Sequence, residues 1–558
     1  MNQEFKSITA YLSRFSLDNL IVCSSLLSAI EFYRDWKDKF PVLFPMINQN
    51  NSAMFTRALI YSDSKYFKKR KIKRGDLPKI INTLNDASSR EEYLNDDTLT
   101  GEEKFYLTIS SLMSSQIWYQ RHSAIEKTGL LYALYSELPK RHHTSLRERH
   151  KSNFVDIPKI IAEDLGIDLE LYFLISLYLV NDHFRKIYDN HIAPSDDFTR
   201  TAKKLQNDER KLQQLKATYL GDIIEKGPLF YELLSFSKEW LKKKLNFIDS
   251  TKIDNYLKLT SISIKKLKEL NDLEPFQNGH ISQRLTPLER YPIVKADFPV
   301  YFIPNFRFAN VAFTELLRFA LQDLYKNNAF NEMLGSCQEL LIYEMLVQLS
   351  SNLQIIKERE YKKHKTHYKG PDFTLLDRDR LIVIESKAKN VNLNSRLNHY
   401  SEYLLKDLDG VINALVKAEN QKVKDIINDK ATYGDINQNL SDLKQHPPIL
   451  VGVIGEGVVT MQEHITKLKE KFPRHKINKI KQPNIYIDIY HLFKAIEICK
   501  SNGLSLYDIL YEYWEIGNNL SGKSDSADMF GSRSYDDKNT YSQKMFEKLF
   551  DEGGKIIQ

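Results

Sequence analysis

The chain has 558 residues, 42% of them hydrophobic and 27% charged, a net charge of +7, and only three cysteines, Cys23, Cys337 and Cys499. These values exclude a disulfide-stapled or zinc-ribbon scaffold and a chain too polar to bury a core, and they leave room for two to four domains. The charge permits a polyanionic partner without requiring one.

The N-terminus, "MNQEFKSITAYLSRFSLDNL", lacks the basic-then-apolar layout of a signal peptide. The longest apolar stretch, "LYFLISLYLV" at 171–180, is too short to span a bilayer and reads as a buried helix. A cytoplasmic protein without a membrane segment is expected. Only seven of the 20 glycines precede residue 280, and apolar residues there recur at spacings of three and four, as in "LFYELLSFSKEWLKKKL" at 229–245. Residues 1–280 are predicted to be a mostly α-helical region that binds, senses or oligomerises. Within it "KYFKKRKIKR" at 65–74 either tracks a nucleic-acid backbone or is an ordinary basic surface. The histidines of "KRHHTSLRERHK" at 140–151 lack the companions of a zinc site.

Proline-rich texture at 276–305 marks the predicted domain boundary. Past it, strand signals dominate: "QIIKEREY" (354–361), "DFTLLD" (372–377), "RLIVIESKA" (380–388), "ILVGVIG" (449–455) and "NIYIDIY" (484–490). Helical segments interleave with them, so residues 281–510 are predicted to form an α/β domain with a central mixed sheet flanked by helices. Residues 511–558 are polar and predicted to be a flexible tail with one short helix at 542–550.

The chemistry concentrates in "YKGPDFTLLDRDRLIVIESKAKN" at 368–390. The near-continuous apolar run marks "RLIVIESKA" as a central strand, and alternation puts Glu385 and Lys387 on one face. A hairpin through "DRDR" would bring Asp372 beside Glu385. Two adjacent carboxylates repel, and a divalent cation between them removes the conflict; oxygen ligands alone suit Mg²⁺, which also takes phosphate oxygens. Lys387 beside such an ion could orient or deprotonate an attacking water, or offset phosphate charge.

Pro371-Asp372, twelve intervening residues, then Glu385-Ser386-Lys387 resembles the signature of the PD-(D/E)XK, or restriction endonuclease-like, nuclease superfamily, which includes bacterial defence nucleases. The resemblance spans roughly residues 320–500. It implies a nuclease fold in that region, Mg²⁺ dependence with Mn²⁺ as a substitute, and cleavage of DNA in anti-phage defence or restriction. Carried over by position, Asp372 and Glu385 become metal ligands, the Ser386 carbonyl a third contact, and Lys387 the catalytic lysine. Members place a further Glu on the helix before the first core strand; "LGSCQELLIYEML" offers Glu339, in a Gly-x-x-x-Glu arrangement with Gly335, and Glu344 as a competitor. The basic run "KEREYKKHKTHYK" at 357–369 supplies Lys362, Lys363, Lys365 and Lys369 as phosphate-gripping candidates. A homo-oligomer or a subunit of a larger defence complex is implied, since one such site cuts one strand.

Two other readings stay open. The charged trio could be a structural salt bridge at a strand end, with Lys369 or Lys389 as the second cation, in a non-catalytic nucleic-acid-binding or scaffold protein with a degenerate nuclease core. Or the nuclease could act on RNA.

Overall fold

A computed structural model describes residues 9–32, 124–205, 207–273, 328–349, 353–363, 366–388, 402–428, 445–455, 462–518 and 540–557, with shorter pieces between 55 and 80, 288 and 313, and 433 and 443. The chain divides into two compact units: one holds Met1–Gln120, Ile161–Leu324 and Phe550–Gln558, the other Arg121–Ile160 and Tyr325–Leu549. This differs from a division at 280. Residues 121–160 belong with the later part of the chain, and the proline-rich stretch belongs with the first unit.

The first unit is largely helical, with helices such as Leu17–Phe32, Leu169–Leu177, Glu209–Glu225 and Ser250–Thr260. It also holds a four-stranded sheet of three-residue strands, in the order Ser235–Ser237, Val300–Phe302, Ile293–Lys295, Ser261–Ser263. That sheet draws the proline-rich stretch into the first unit. Buried serines sew helix Leu17–Phe32 to the sheet's exit: Ser24 Oγ donates to the Pro304 carbonyl at 2.8 Å and Ser25 Oγ to the Ile303 carbonyl at 2.7 Å. These bonds satisfy backbone acceptors that burial would otherwise leave unpaired.

The second unit carries the α/β part. Its elements include α1 (His143–His150), α2 (Asn328–Val347), β1 (Leu353–Lys357), β2 (Glu360–Lys363), β3 (Thr366–Lys369), β4 (Phe373–Asp377), β5 (Arg380–Lys387), α3 (Glu402–Lys417), α4 (Val423–Asn428), β6 (Ile449–Ile454), β7 (Asn484–Asp488), α5 (Ile489–Asn502), α6 (Leu506–Asn518) and the first half, to Leu549, of α7 (Tyr541–Ile557). The sheet order is β7-β6-β5-β4-β1. The pairs β7-β6 and β6-β5 are parallel, while β5-β4 and β4-β1 are antiparallel, so the sheet is mixed. β2 and β3 form a separate two-stranded ribbon between β1 and β4.

β5 is central and apolar, and its two faces differ. Leu381 and Val383 join a core with Leu405, Leu408, Val411, Ile412 and Leu415 of α3. Ser386, on the other face by alternation, accepts a hydrogen bond from Gln338 of α2 at 2.9 Å. Burying each such aliphatic side chain is worth roughly 1.5–3 kcal/mol, which fixes the strand's register between its helical layers. Gly452 in β6 pairs with Glu385 and with Tyr486 in the neighbouring strands. A Cβ there would lie 2.7 Å from Val411 Cγ2, so glycine is what lets α3 approach the sheet.

The chain beyond 511 is not simply a tail: α6 continues to Asn518 and α7 covers Tyr541–Ile557, longer than the short helix expected, with Leu549 fully buried. Among the described residues no helix is long and apolar enough to cross a membrane.

Candidate active site at the end of strand β5

The β4-β5 hairpin sets the site. Its pairs run from Asp377↔Arg380 to Phe373↔Ile384, and one step further along the same register Asp372 faces Glu385. The turn holds Arg378 at φ 63°, the left-handed region that non-glycine residues seldom enter. Asp372 is fixed from both sides of its peptide. Its carbonyl accepts from the Glu358 N–H at 3.1 Å, and its carboxylate Oδ2 accepts from the Ser386 N–H at 2.7 Å. The chain reaches it through Gly370, where a Cβ would sit 2.7 Å from the Tyr433 hydroxyl.

Lys387 Nζ lies 4.0 Å from Asp372 Oδ2, on a side chain 43% exposed. Glu385 is buried, and its pKa is pushed up to about 7, first by desolvation and then by the Asp372 charge. Desolvation also raises the pKa of Glu339, with the Asp372 charge adding to it, so Asp372 stands between two carboxylates that feel its field. Glu339 pairs with Arg149 of α1 at 3.0 Å. Glu344, five residues on and so about 140° round the helix, is engaged elsewhere: Arg141 Nη1 approaches it at 2.8 Å and the Tyr541 hydroxyl donates to it at 2.7 Å.

One residue of the site was not foreseen. Lys422 Nζ donates to Glu385 Oε1 at 2.6 Å, with side chains 8% and 2% exposed. It ends a π-helical turn, Ala418–Lys422, between α3 and α4. Widened turns of this kind often sit at functional sites. The only hint in the sequence was a lysine in a helix that had to cover the sheet, and "KAENQKVK" offers two others, Lys417 and Lys424.

Lys422 thus stands where the salt-bridge alternative needs a second cation, and Lys369, one of the two named for it, is engaged elsewhere. Lys369 pairs with Glu358 at 3.3 Å and Glu360 at 3.7 Å, and Lys389 lies outside the described residues. So do Lys365, the side chains of Lys362 and Lys363, and residues 65–69 of the earlier basic run. The ribbon β2-β3 carries the backbone of Lys362, Lys363 and Lys369 just ahead of Asp372.

Among the described residues no three His, Cys, Asp or Glu side chains gather closely enough to hold a metal ion by themselves. The donor set still fits Mg²⁺. That ion is commonly held by one or two carboxylates, with waters and phosphate oxygens completing its shell. Asp372 and Glu385 supply two hard oxygen donors, and their mutual repulsion is the conflict that a cation would relieve.

Comparison with family models, with curated proteins and with solved structures finds no match.

Proposed function

We propose that the second unit is a Mg²⁺-dependent nuclease that hydrolyses phosphodiester bonds of DNA. The observation that carries this reading is the convergence at one strand end of Asp372, Glu385 and Lys387, with Glu385 pushed up to about 7 partly by the Asp372 charge. Asp372, Glu385 and the Ser386 carbonyl would hold the ion. Bound Mg²⁺ would supply Lewis-acid polarisation of the phosphate and of the attacking water. Lys387, the exposed ammonium of the group, positions the nucleophile and offsets phosphate charge. Glu339, tied to Arg149, orients Lys387 or serves a second ion. The resemblance in the motif adds a role against foreign DNA, and a duplex break would need two such sites, hence an oligomer or a larger complex.

The test is supercoiled plasmid with Mg²⁺, with and without EDTA, beside a parallel RNA substrate. Wild-type protein is expected to nick or linearise DNA with Mg²⁺ only. Asp372→Ala and Lys387→Ala are expected to lose cutting while still folding, and wild-type rates in both would overturn the reading. Cleavage confined to RNA would keep the chemistry and change the substrate.

A specific observation favours a second reading. The buried Lys422–Glu385 pair neutralises the very carboxylate that would bind the ion, as a structural salt bridge in a non-catalytic scaffold would. A protein with no cation-dependent cleavage of either nucleic acid, and no cation binding, would establish that alternative.

A further inference from the structure

Each carboxylate of the site faces a cation that the chain itself supplies. Asp372 faces Lys387 at 4.0 Å, Glu339 faces Arg149 at 3.0 Å, and Glu385 faces Lys422 at 2.6 Å. The first two cations are 43% and 53% exposed, so water screens them. Lys422 is buried with its partner, and Coulomb attraction acts there at low effective dielectric.

We infer that Lys422 is the resident counter-ion of Glu385, holding that carboxylate while no divalent cation is bound and releasing it when one arrives. This rests on the metal site proposed above. The argument is one of competing charges. Without a cation, Glu385 would be a buried carboxylate beside a second one, which is strongly unfavourable unless paired. Lys422 removes that cost. A divalent ion at the same carboxylate brings a second positive charge into the space that the ammonium occupies, and the two repel. Ion and ammonium are therefore antagonists, and the coupling is reciprocal: whatever the ammonium subtracts from ion affinity, the ion subtracts from the ammonium's hold. A lysine suits this role. Its four-carbon stem lets Nζ withdraw while the helix stays in place, whereas an arginine would grip the carboxylate with a planar fork.

The experiment is Mn²⁺ titration by calorimetry at pH 8.5, with melting curves in EDTA and in Mn²⁺, for the full chain and for Lys422→Met and Lys422→Arg. Lys422→Met is expected to bind Mn²⁺ about tenfold more tightly, to melt lower in EDTA, and to gain more from Mn²⁺ than wild type. Lys422→Arg is expected to bind more weakly than wild type. Unchanged or weaker binding by Lys422→Met overturns the inference. Should Lys422→Met not fold, Lys422→Arg binding as tightly as wild type overturns it. Binding that Asp372→Ala abolishes and Lys422→Met leaves unchanged removes the exchange alone. No binding by wild type removes the metal site, and the exchange with it.

Discussion

The Ser386 N–H donates to Asp372 Oδ2 at 2.7 Å. This one bond, across the mouth of the β4-β5 hairpin, holds the carboxylate against the strand that carries Glu385 and Lys387. Asp372→Asn keeps an acceptor for that N–H and removes the charge. It is expected to lower DNA cleavage on the order of a hundredfold or more, since even residues behind metal ligands cost 10–100-fold. Its melting temperature should stay near that of wild type. Cleavage assays beside thermal melts check both halves.

Lys387→Met should separate activity from stability. The side chain is half exposed and 4.0 Å from its partner, so its ion pair contributes at most about 1 kcal/mol. Loss of a positioned proton-transfer or charge-offsetting group costs about 10²–10⁴-fold in rate. The expected result is a folded, nucleic-acid-binding protein that barely cuts, read by gel shift in Ca²⁺ and cleavage in Mg²⁺.

Stability in EDTA should fall as pH rises through neutrality. Glu385 ordinarily has a pKa of 4.5 and here is raised to about 7. A raised acid is protonated in the native state before it is in the unfolded chain. Its contribution is fully present below about pH 4.5 and is lost as pH climbs through about 7. The shift corresponds to something on the order of 3 kcal/mol. Denaturant unfolding from pH 4.5 to 8 should show this slope in wild type and lack it in Glu385→Gln. Because the carboxylate is the ligand form, Mn²⁺ affinity should rise over the same window.

Glu339 and Glu344 should behave oppositely. Glu339→Gln breaks an ion pair with an Arg149 that is 53% exposed, so stability should change by less than about 1 kcal/mol while cleavage drops. Glu344→Ala strips the Tyr541 hydroxyl of its acceptor and leaves Arg141 with Glu137 alone. It should cost about 1–3 kcal/mol and leave kcat near wild type in whatever protein remains folded.

Strand β5 was readable because a run of Leu381, Ile382, Val383 and Ile384 admits few alternatives, and the "DRDR" turn fixed its partner. The mixed sheet followed from strands alternating with helices. What escaped reading depends on contacts far along the chain. Nothing local marks Lys422 among the lysines of its helix; its role exists only once α3 lies on the sheet. The tripeptide strands Ser235–Ser237 and Ser261–Ser263 have little intrinsic strand preference and form because a sheet edge is there to receive them. The placement of residues 121–160 could not be read because α1 carries no sign of its partner Glu339, 190 positions later.

The second unit is assembled from two stretches, Arg121–Ile160 and Tyr325–Leu549, separated by the 161–324 portion of the other unit. On the ribosome the earlier stretch must therefore wait, its apolar helices uncovered, until the strands that complete its core have been synthesised. Loop-closure entropy adds little for so long an interruption, because it grows only logarithmically with length. The delay itself is the vulnerable interval. A gene fragment beginning near residue 281 would yield the whole sheet without the helix that brings Arg149 to Glu339, and would emerge needing a chaperone rather than a substrate.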